Sequence, residues 1–259
     1  MNTLFLIVVF SLLGGVLSVV AAAWFLLLPD RFRERAIPHF VSFAIGALLG
    51  AAFLALLPHA IGGAGAPEVH RLGLTVLLGV LTFFVLEKLV LWRHCHHDTC
   101  EAHVPSDHDQ HAAAATLILI GDGIHNLVDG VLIAAAFLTD LHLGVITALA
   151  VAAHEIPQEL GDFAVLLQGG LSRARALAYN VLASLTTVVG GVVAYFSLAE
   201  ASRLLPYVLA VAASSFIYIA VADLIPGLHK RLQLSVTLQQ LLLIGAGVCV
   251  IYLAHSTLH

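Results

Sequence analysis

Polar side chains interrupt a long apolar stretch of this chain at Gly121-Asp-Gly-Ile-His-Asn-Leu-Val-Asp-Gly130. The apolar run around them, Ala112 to Leu138, exceeds the roughly 20 residues that a helix needs to cross the ~30 Å hydrocarbon core of a bilayer. On a helix, the four polar side chains fall on one face, within an arc of about 100°. They are Asp122, His125, Asn126 and Asp129. The stretch therefore predicts a membrane-spanning helix with one polar face.

Seven further apolar runs bring the number of predicted membrane-spanning helices to eight. Across the 259 residues, 60% are hydrophobic and only 10% are charged, a composition far outside that of soluble domains. In chain order, the predicted helices are Thr3 to Leu28, Val41 to Leu57, Leu72 to Trp92, Ala112 to Leu138, Leu143 to Leu167, Ala174 to Leu198, Leu204 to Ile225 and Val236 to Leu253. The sequence therefore predicts an all-α membrane protein with a single transmembrane domain over residues 1–259, embedded in a lipid bilayer.

The distribution of Arg and Lys among the connecting segments predicts the orientation of the chain. The segments after helices one, three, five and seven contain eight basic residues, whereas those after helices two, four and six contain only Arg71 and Arg203. Basic residues near helix ends favour the cytoplasmic side of a membrane. We therefore expect both termini outside the cytoplasm and residues 93–111 inside it. No other basic patch indicates a nucleic-acid partner.

The fifth predicted helix has its own polar face, at His154-Glu-Ile-Pro-Gln-Glu-Leu-Gly-Asp162. Five polar side chains fall within an arc of about 140°. They are His154, Glu155, Gln158, Glu159 and Asp162. Pro157 lacks the backbone N–H that a helix uses and predicts a kink beside this face.

Helices four and five together predict a cation site between them. Hydrogen bonding between helices explains one or two polar residues, but here there are nine, of which five are carboxylates. Carboxylates crowded in a medium of low dielectric constant repel one another unless cations neutralise them. Imidazole combined with carboxylate suits zinc, iron, manganese or cobalt, whereas magnesium and calcium prefer oxygen ligands alone. We therefore expect a divalent transition metal, zinc or else iron or manganese, as a transported substrate rather than a cofactor.

Two other functions compete with transport. The segment from His154 to Gln158 differs at one position from the His-Glu-x-x-His motif of zinc proteases, which suggests an intramembrane metallohydrolase. Gln158 is a poor zinc ligand and Pro157 would distort the helical face that such enzymes use, so we predict that the chain is not an enzyme. A membrane metal sensor that transports nothing is the second alternative.

Both polar motifs resemble those of the ZIP (Zrt- and Irt-like) metal transporter family, in the branch with a His-Glu-x-Pro-x-Glu-x-Gly-Asp motif. The matching residues are His125-Asn126-x-x-Asp129-Gly130 and His154-Glu155-x-Pro-x-Glu159-x-Gly161-Asp162. The resemblance implies uptake of metal toward the cytoplasm by alternating access, homodimers, and a site between helices four and five that often holds two metals. By position, it implies that the metal ligands are His125, Asn126, Asp129, His154 and Glu155. At Gln158 the family usually has Glu or His, and Asn180 lies where some members place a carboxylate.

Two peripheral features also suggest metal binding. His59 follows Pro58 at the outer end of helix two, where we expect it to meet ions at the entrance of the pathway. The predicted cytoplasmic loop 93–111 has a composition typical of loose metal binding, although a polar linker is the alternative. Its candidate ligands are His94, Cys95, His96, His97, Cys100, His103, His108 and His111.

Overall fold

The computed structural model describes residues 2–63, 68–94, 107–229 and 233–257, and within these ranges it contains helices and no strand. The helices are α1 (Thr3–Gly14), α2 (Val16–Phe25), α3 (Asp30–Gly50), α4 (Leu57–Gly63), α5 (Val69–His94), α6 (Asp107–Thr139), α7 (Leu141–Gln168), α8 (Arg173–Ser184), α9 (Thr186–Glu200), α10 (Leu205–Tyr218), α11 (Ile225–Leu228) and α12 (Leu234–Thr257). Six-residue π-helical segments, Ala51–Leu56 and Ile219–Leu224, join α3 to α4 and α10 to α11.

Seven segments within the described ranges are long and apolar enough to cross a membrane. They are Thr3–Phe25, Arg31–Gly63, Val69–Leu86, Ile118–Thr139, Arg173–Glu200, Ser202–Leu228 and Leu234–Ser256. The chain is thus an all-α membrane protein, as predicted. Helix α7 corresponds to the fifth predicted helix and has 28 residues, but it is not among these seven because the side chains of its polar face lower its hydropathy. The total of eight spans therefore stays a prediction.

Several helices begin or end at places that hydropathy does not indicate. The second predicted helix, Val41 to Leu57, belongs to a helical rod from Asp30 to Gly63, and Pro38 lies inside it without ending it. A helix need not stop where the apolar stretch stops, because its backbone hydrogen bonds also form in water. The sixth predicted helix is instead divided at Leu185 into α8 and α9.

The predicted histidine loop 93–111 is shorter than the sequence indicated. Helix α5 continues to His94, and α6 starts at Asp107, so the backbone of His108 and His111 is helical. The other candidate ligands of this loop lie outside the described residues: Cys95, His96, His97, Cys100 and His103.

Helices α6 and α9 touch through their backbones, and this contact positions the polar face of α6. A Cβ atom added to Gly130 would lie 1.9 Å from the carbonyl oxygen of Thr187. A Cβ atom added to Gly190 would lie 2.0 Å from the carbonyl oxygen of Leu127. Small residues allow such close approach of helices in membranes. Any side chain at these two positions would push the helices apart.

Helix α7 begins at a capping residue and packs its apolar residues against α6. The Asp140 side chain accepts hydrogen bonds from the backbone N–H groups of His142 and Leu143, at 2.8 and 3.0 Å. These N–H groups have no partner within the helix, so the cap stabilises its first turn. Fully buried Leu143 and Ile146 then join the central apolar core. The tight connection between α6 and α7 sets their polar faces opposite each other.

Candidate metal site

Four side chains from α6 and α7 converge at the centre of the bundle. His125 and Asp129 lie one turn apart on α6, and His154 and Glu155 are neighbours on α7. One nitrogen or oxygen atom from each lies within 4.8 Å of the other three. Within the described ranges, no other His, Cys, Asp and Glu side chains form a group of three or more this tight. We call these four residues the central cluster.

The distances within the central cluster suit a tetrahedral metal ion. The Nε2 atoms of His125 and His154 are 3.2 Å apart. Asp129 Oδ2 lies 3.3 Å from Nε2 of His154 and 3.6 Å from that of His125. Glu155 Oε1 lies 3.6 Å from Nε2 of His125 and 3.8 Å from that of His154. These five separations average about 3.5 Å. A regular tetrahedron with edges of this length has its centre about 2.1 Å from each corner, which is the length of zinc–nitrogen and zinc–oxygen bonds.

The ring of His154 is held in the orientation that a metal ligand needs. Its Nδ1 atom lies 3.1 Å from the carbonyl oxygen of Ala150, which can only accept a hydrogen bond. Nδ1 therefore carries the proton, and the lone pair of Nε2 points into the cluster. Metal-binding histidines usually donate their second ring nitrogen to such a carbonyl. Phe216 of α10 packs against the same ring, with centroids 6.0 Å apart.

The carboxylates of the central cluster are buried without hydrogen-bond donors. Asp129 and Glu155 are 1% and 0% exposed, and among the described residues no group donates a hydrogen bond to their four oxygen atoms. A buried polar group without a partner is costly, and a buried charge more so. The side chain of His125 is 24% exposed and forms the open edge of the cluster. The chemistry that fits this arrangement is the binding of a divalent cation.

Asn126, a predicted ligand, is outside the central cluster and links helices. Its Nδ2 atom donates to Oδ1 of Asp122 at 2.8 Å, and its Oδ1 atom accepts from Oγ1 of Thr187 on α9 at 2.7 Å. All three side chains are buried. Thr187 was not predicted as part of the site, because its only signal in the sequence is that Thr186 and Thr187 form a polar pair inside an apolar run. A ligand role for Asn126 stays a prediction.

The other predicted ligands lie along the same two helices but not in the central cluster. Asp122 and Glu159 are buried, whereas Gln158 and Asp162 are half-buried. The predicted entrance residue, His59, lies on α4, where its ring faces that of His255 with centroids 5.6 Å apart. Their roles in metal binding therefore stay predictions.

Comparison with known proteins identifies relatives of the whole chain. A family model described as "ZIP Zinc transporter" matches residues 1–112 and 92–255. The zinc transporter ZIP13 of Pongo abelii is 34% identical over 93% of this chain and 70% of the relative. Human ZIP13 is 32% identical over 93% of this chain and 74% of the relative. Human zinc transporter ZIP10 is 38% identical over 52% of this chain, but the match covers 17% of that relative.

Proposed function

Because this chain belongs to the ZIP zinc transporter family, we propose that it carries zinc through the central cluster toward the cytoplasm. The observation that supports this most directly is the close group of two imidazoles and two buried carboxylates inside a bundle of membrane-spanning helices. Ionisable groups within a membrane mark ion pathways, because lipid penalises them elsewhere. The family also disfavours the hydrolase and sensor alternatives, since its members are transporters.

The ligand set favours zinc over the other metals that the sequence left open. Zinc adopts tetrahedral sites with nitrogen and oxygen ligands. Manganese prefers six oxygen ligands, and non-haem iron sites commonly combine two histidines and one carboxylate with open positions. Two carboxylates and two neutral imidazoles also balance the charge of a divalent ion. We therefore expect zinc to outcompete iron and manganese, which competition flux with the three metals would test.

The metal ion is released more readily when protons replace it on its ligands. The same imidazoles and carboxylates bind protons and metal in competition. Acid on the receiving side therefore favours release of the ion. The proposed direction rests on the excess of Arg and Lys in the segments predicted to be cytoplasmic. An accessibility map that placed the C-terminus at 259 in the cytoplasm would contradict that orientation.

Two further parts of the proposal follow from the family resemblance and the loop composition. We expect a homodimer, which cross-linking in the membrane and light scattering in detergent would test. We also expect the histidine-rich loop 93–111 to capture zinc on the cytoplasmic side. Deleting residues 95–109 should reduce zinc capture and leave basal flux unchanged, so a complete loss of flux would place this loop in the main pathway.

The decisive experiment measures zinc flux in proteoliposomes that contain the purified chain and a zinc-sensitive dye. The wild-type chain should move zinc down its gradient, and Asp129→Ala should abolish the flux while the protein elutes and unfolds normally. A sensor would bind zinc without flux, and a hydrolase would cleave peptides without flux. Normal zinc uptake by Asp129→Ala would refute the assignment of the central cluster as the transport site.

A further inference from the structure

Two histidines from opposite ends of the chain meet at the predicted outer end of the bundle. His59 lies in the first turn of α4, and His255 lies in the last turn of α12. Their rings are 5.6 Å apart between centroids and are inclined at 74° to each other. Both residues are half-buried, so an ion arriving from the outer side can reach them. We call these two residues the outer pair.

Close packing of α12 against the helical rod from Asp30 to Gly63 brings the outer pair together. A Cβ atom added to Gly46 would lie 2.0 Å from the carbonyl oxygen of Ile244, and one added to Gly50 would lie 3.2 Å from Cβ of Ile251. Helices that approach this closely hold each other in a fixed register. The contacts advance along both helices in the same order, so the two helices run in the same direction. Their outer ends, which carry the two histidines, therefore lie side by side.

The outer pair repeats the geometry of the two histidines of the central cluster. The rings of His125 and His154 have centroids 5.5 Å apart and are inclined at 89°. Nδ1 of His59 lies 2.9 Å from the carbonyl oxygen of Ala55, one turn earlier. His154 makes the same contact on α7, at 3.1 Å. A carbonyl oxygen can only accept a hydrogen bond, so Nδ1 of His59 carries the proton and Nε2 carries the lone pair that binds a metal.

The separation of the two rings fits a zinc ion bound between them. Two imidazoles bonded to one tetrahedral zinc ion at about 2.1 Å have ring centroids about 5.3 Å apart, close to the 5.6 Å of the outer pair. Among the described residues, no third His, Cys, Asp or Glu joins these two in a group as tight as the central cluster. Water therefore completes the coordination of the ion. Without a carboxylate to balance its charge, the ion binds more weakly than in the central cluster.

The outer pair and the central cluster are separate sites. Helix α7 starts on the same predicted outer side, and His154 lies about 20 Å from the first residue of that helix at 1.5 Å per residue. We propose that the outer pair is an entry site, where zinc binds to His59 and His255 before it moves inward to the tighter central cluster. The sequence indicated His59 alone as an entrance residue, and the structure assigns His255 as its partner. The role in transport rests on the proposed function, whereas zinc binding by the pair does not.

Chemical modification of single histidines tests the outer pair without interference from the other zinc ligands of the chain. Diethyl pyrocarbonate acylates imidazole nitrogens, and mass spectrometry of the full-length protein in detergent measures the rate at each histidine. Zinc ions should slow the reaction of His59 and His255 over the same concentration range. Exposed His39 is the internal control, because its Nδ1 contacts the carbonyl oxygen of Arg35 in the same way, at 2.6 Å. Zinc should not slow the reaction of His39.

Variants of His255 distinguish a metal ligand from a ring that only packs against His59. His255→Ala should raise the zinc concentration that protects His59 by at least about tenfold, because loss of even a supporting partner of a metal ligand costs this much. His70→Ala, the same change at an exposed position at the start of α5, should leave this concentration unchanged. His255→Cys supplies a thiolate, which also binds zinc, and should restore the protection. If His255→Ala fails to fold, the wild type and His255→Cys still decide the question.

The outcomes separate the outer pair from the transport proposal. A wild-type protein in which zinc leaves His59 fully reactive would overturn the outer pair. So would protection that His255→Ala leaves unchanged in a folded protein, or that is absent in folded His255→Cys. Asp129→Ala, which should lose flux, should keep the protection of His59, and its loss there would show that the sites are not separate. Absence of wild-type flux refutes transport, whereas normal flux without protection refutes only the outer pair.

Discussion

Replacing Asp129 by Asn tests the charge balance of the central cluster without changing its shape. Oδ2 of Asp129 lies 3.3 Å and 3.6 Å from the Nε2 atoms of the two histidines, so this oxygen occupies one corner of the proposed tetrahedron. The substitution keeps an oxygen or nitrogen atom there and removes one negative charge. A divalent ion in the mutant site would then be left with one uncompensated positive charge.

The burial of Asp129 determines how much zinc affinity the substitution should remove. Exposed ion pairs contribute about 0–1 kcal/mol, but Asp129 is 1% exposed, so the value for a buried pair that loses one partner applies. That value is about 3–5 kcal/mol, which corresponds to a loss of zinc affinity of roughly two to three and a half orders of magnitude.

Calorimetry with zinc in detergent would measure the affinity, and dye-based flux in proteoliposomes would measure transport. Asp140→Asn is the matched control, because it makes the same chemical change at the start of α7 and Asn caps helices as well as Asp does. We expect this control to bind and transport zinc normally. If Asp129→Asn weakened zinc binding by less than about fivefold, the range of an exposed pair, the carboxylate would not be a buried metal ligand.

Further predictions concern the packing and capping that support the site. Gly130→Ala should separate α6 from α9 by about 1.5 Å to relieve the contact with the Thr187 carbonyl, which should cost about 1–3 kcal/mol of stability and weaken zinc binding. In the control Gly121→Ala, on the same helix, the added Cβ meets no atom within 4 Å, so neither stability nor zinc binding should change. Equal thermal stabilities of the two variants would contradict the close contact. Thr187→Val keeps the shape but removes the donor to Asn126, so it should destabilise the protein by about 1 kcal/mol in thermal unfolding. Asp140→Ala should cost about 1 kcal/mol through the lost cap of α7. Burial raises the pKa of Asp140, but the backbone N–H groups of the first turn and nearby histidines outweigh this effect, so the pKa lies below the ordinary 3.8. The stabilising contribution of Asp140 is therefore present above pH 3.8 and is lost as the pH falls through the lowered pKa. The difference in stability between the wild type and Asp140→Ala, followed by circular dichroism, should shrink under acid.

The features that the sequence predicted well are those that depend on local periodicity. Hydropathy identified an all-α membrane protein, and a spacing of about 100° per residue placed His125 and Asp129 on one face of α6. The two motifs also indicated the family, which the comparisons confirm. The pairing of the faces of α6 and α7 was inferable because so many carboxylates need a shared counter-ion. These properties require no knowledge of how distant helices pack.

Contacts made by other helices were not predictable in the same way. Thr187 and Phe216 lie in largely apolar runs, and only the packing of α9 and α10 shows that one bonds to Asn126 and the other covers His154. The ends of the helices were also predicted poorly, because hydropathy indicates where a segment enters the lipid and not where its backbone hydrogen bonding stops.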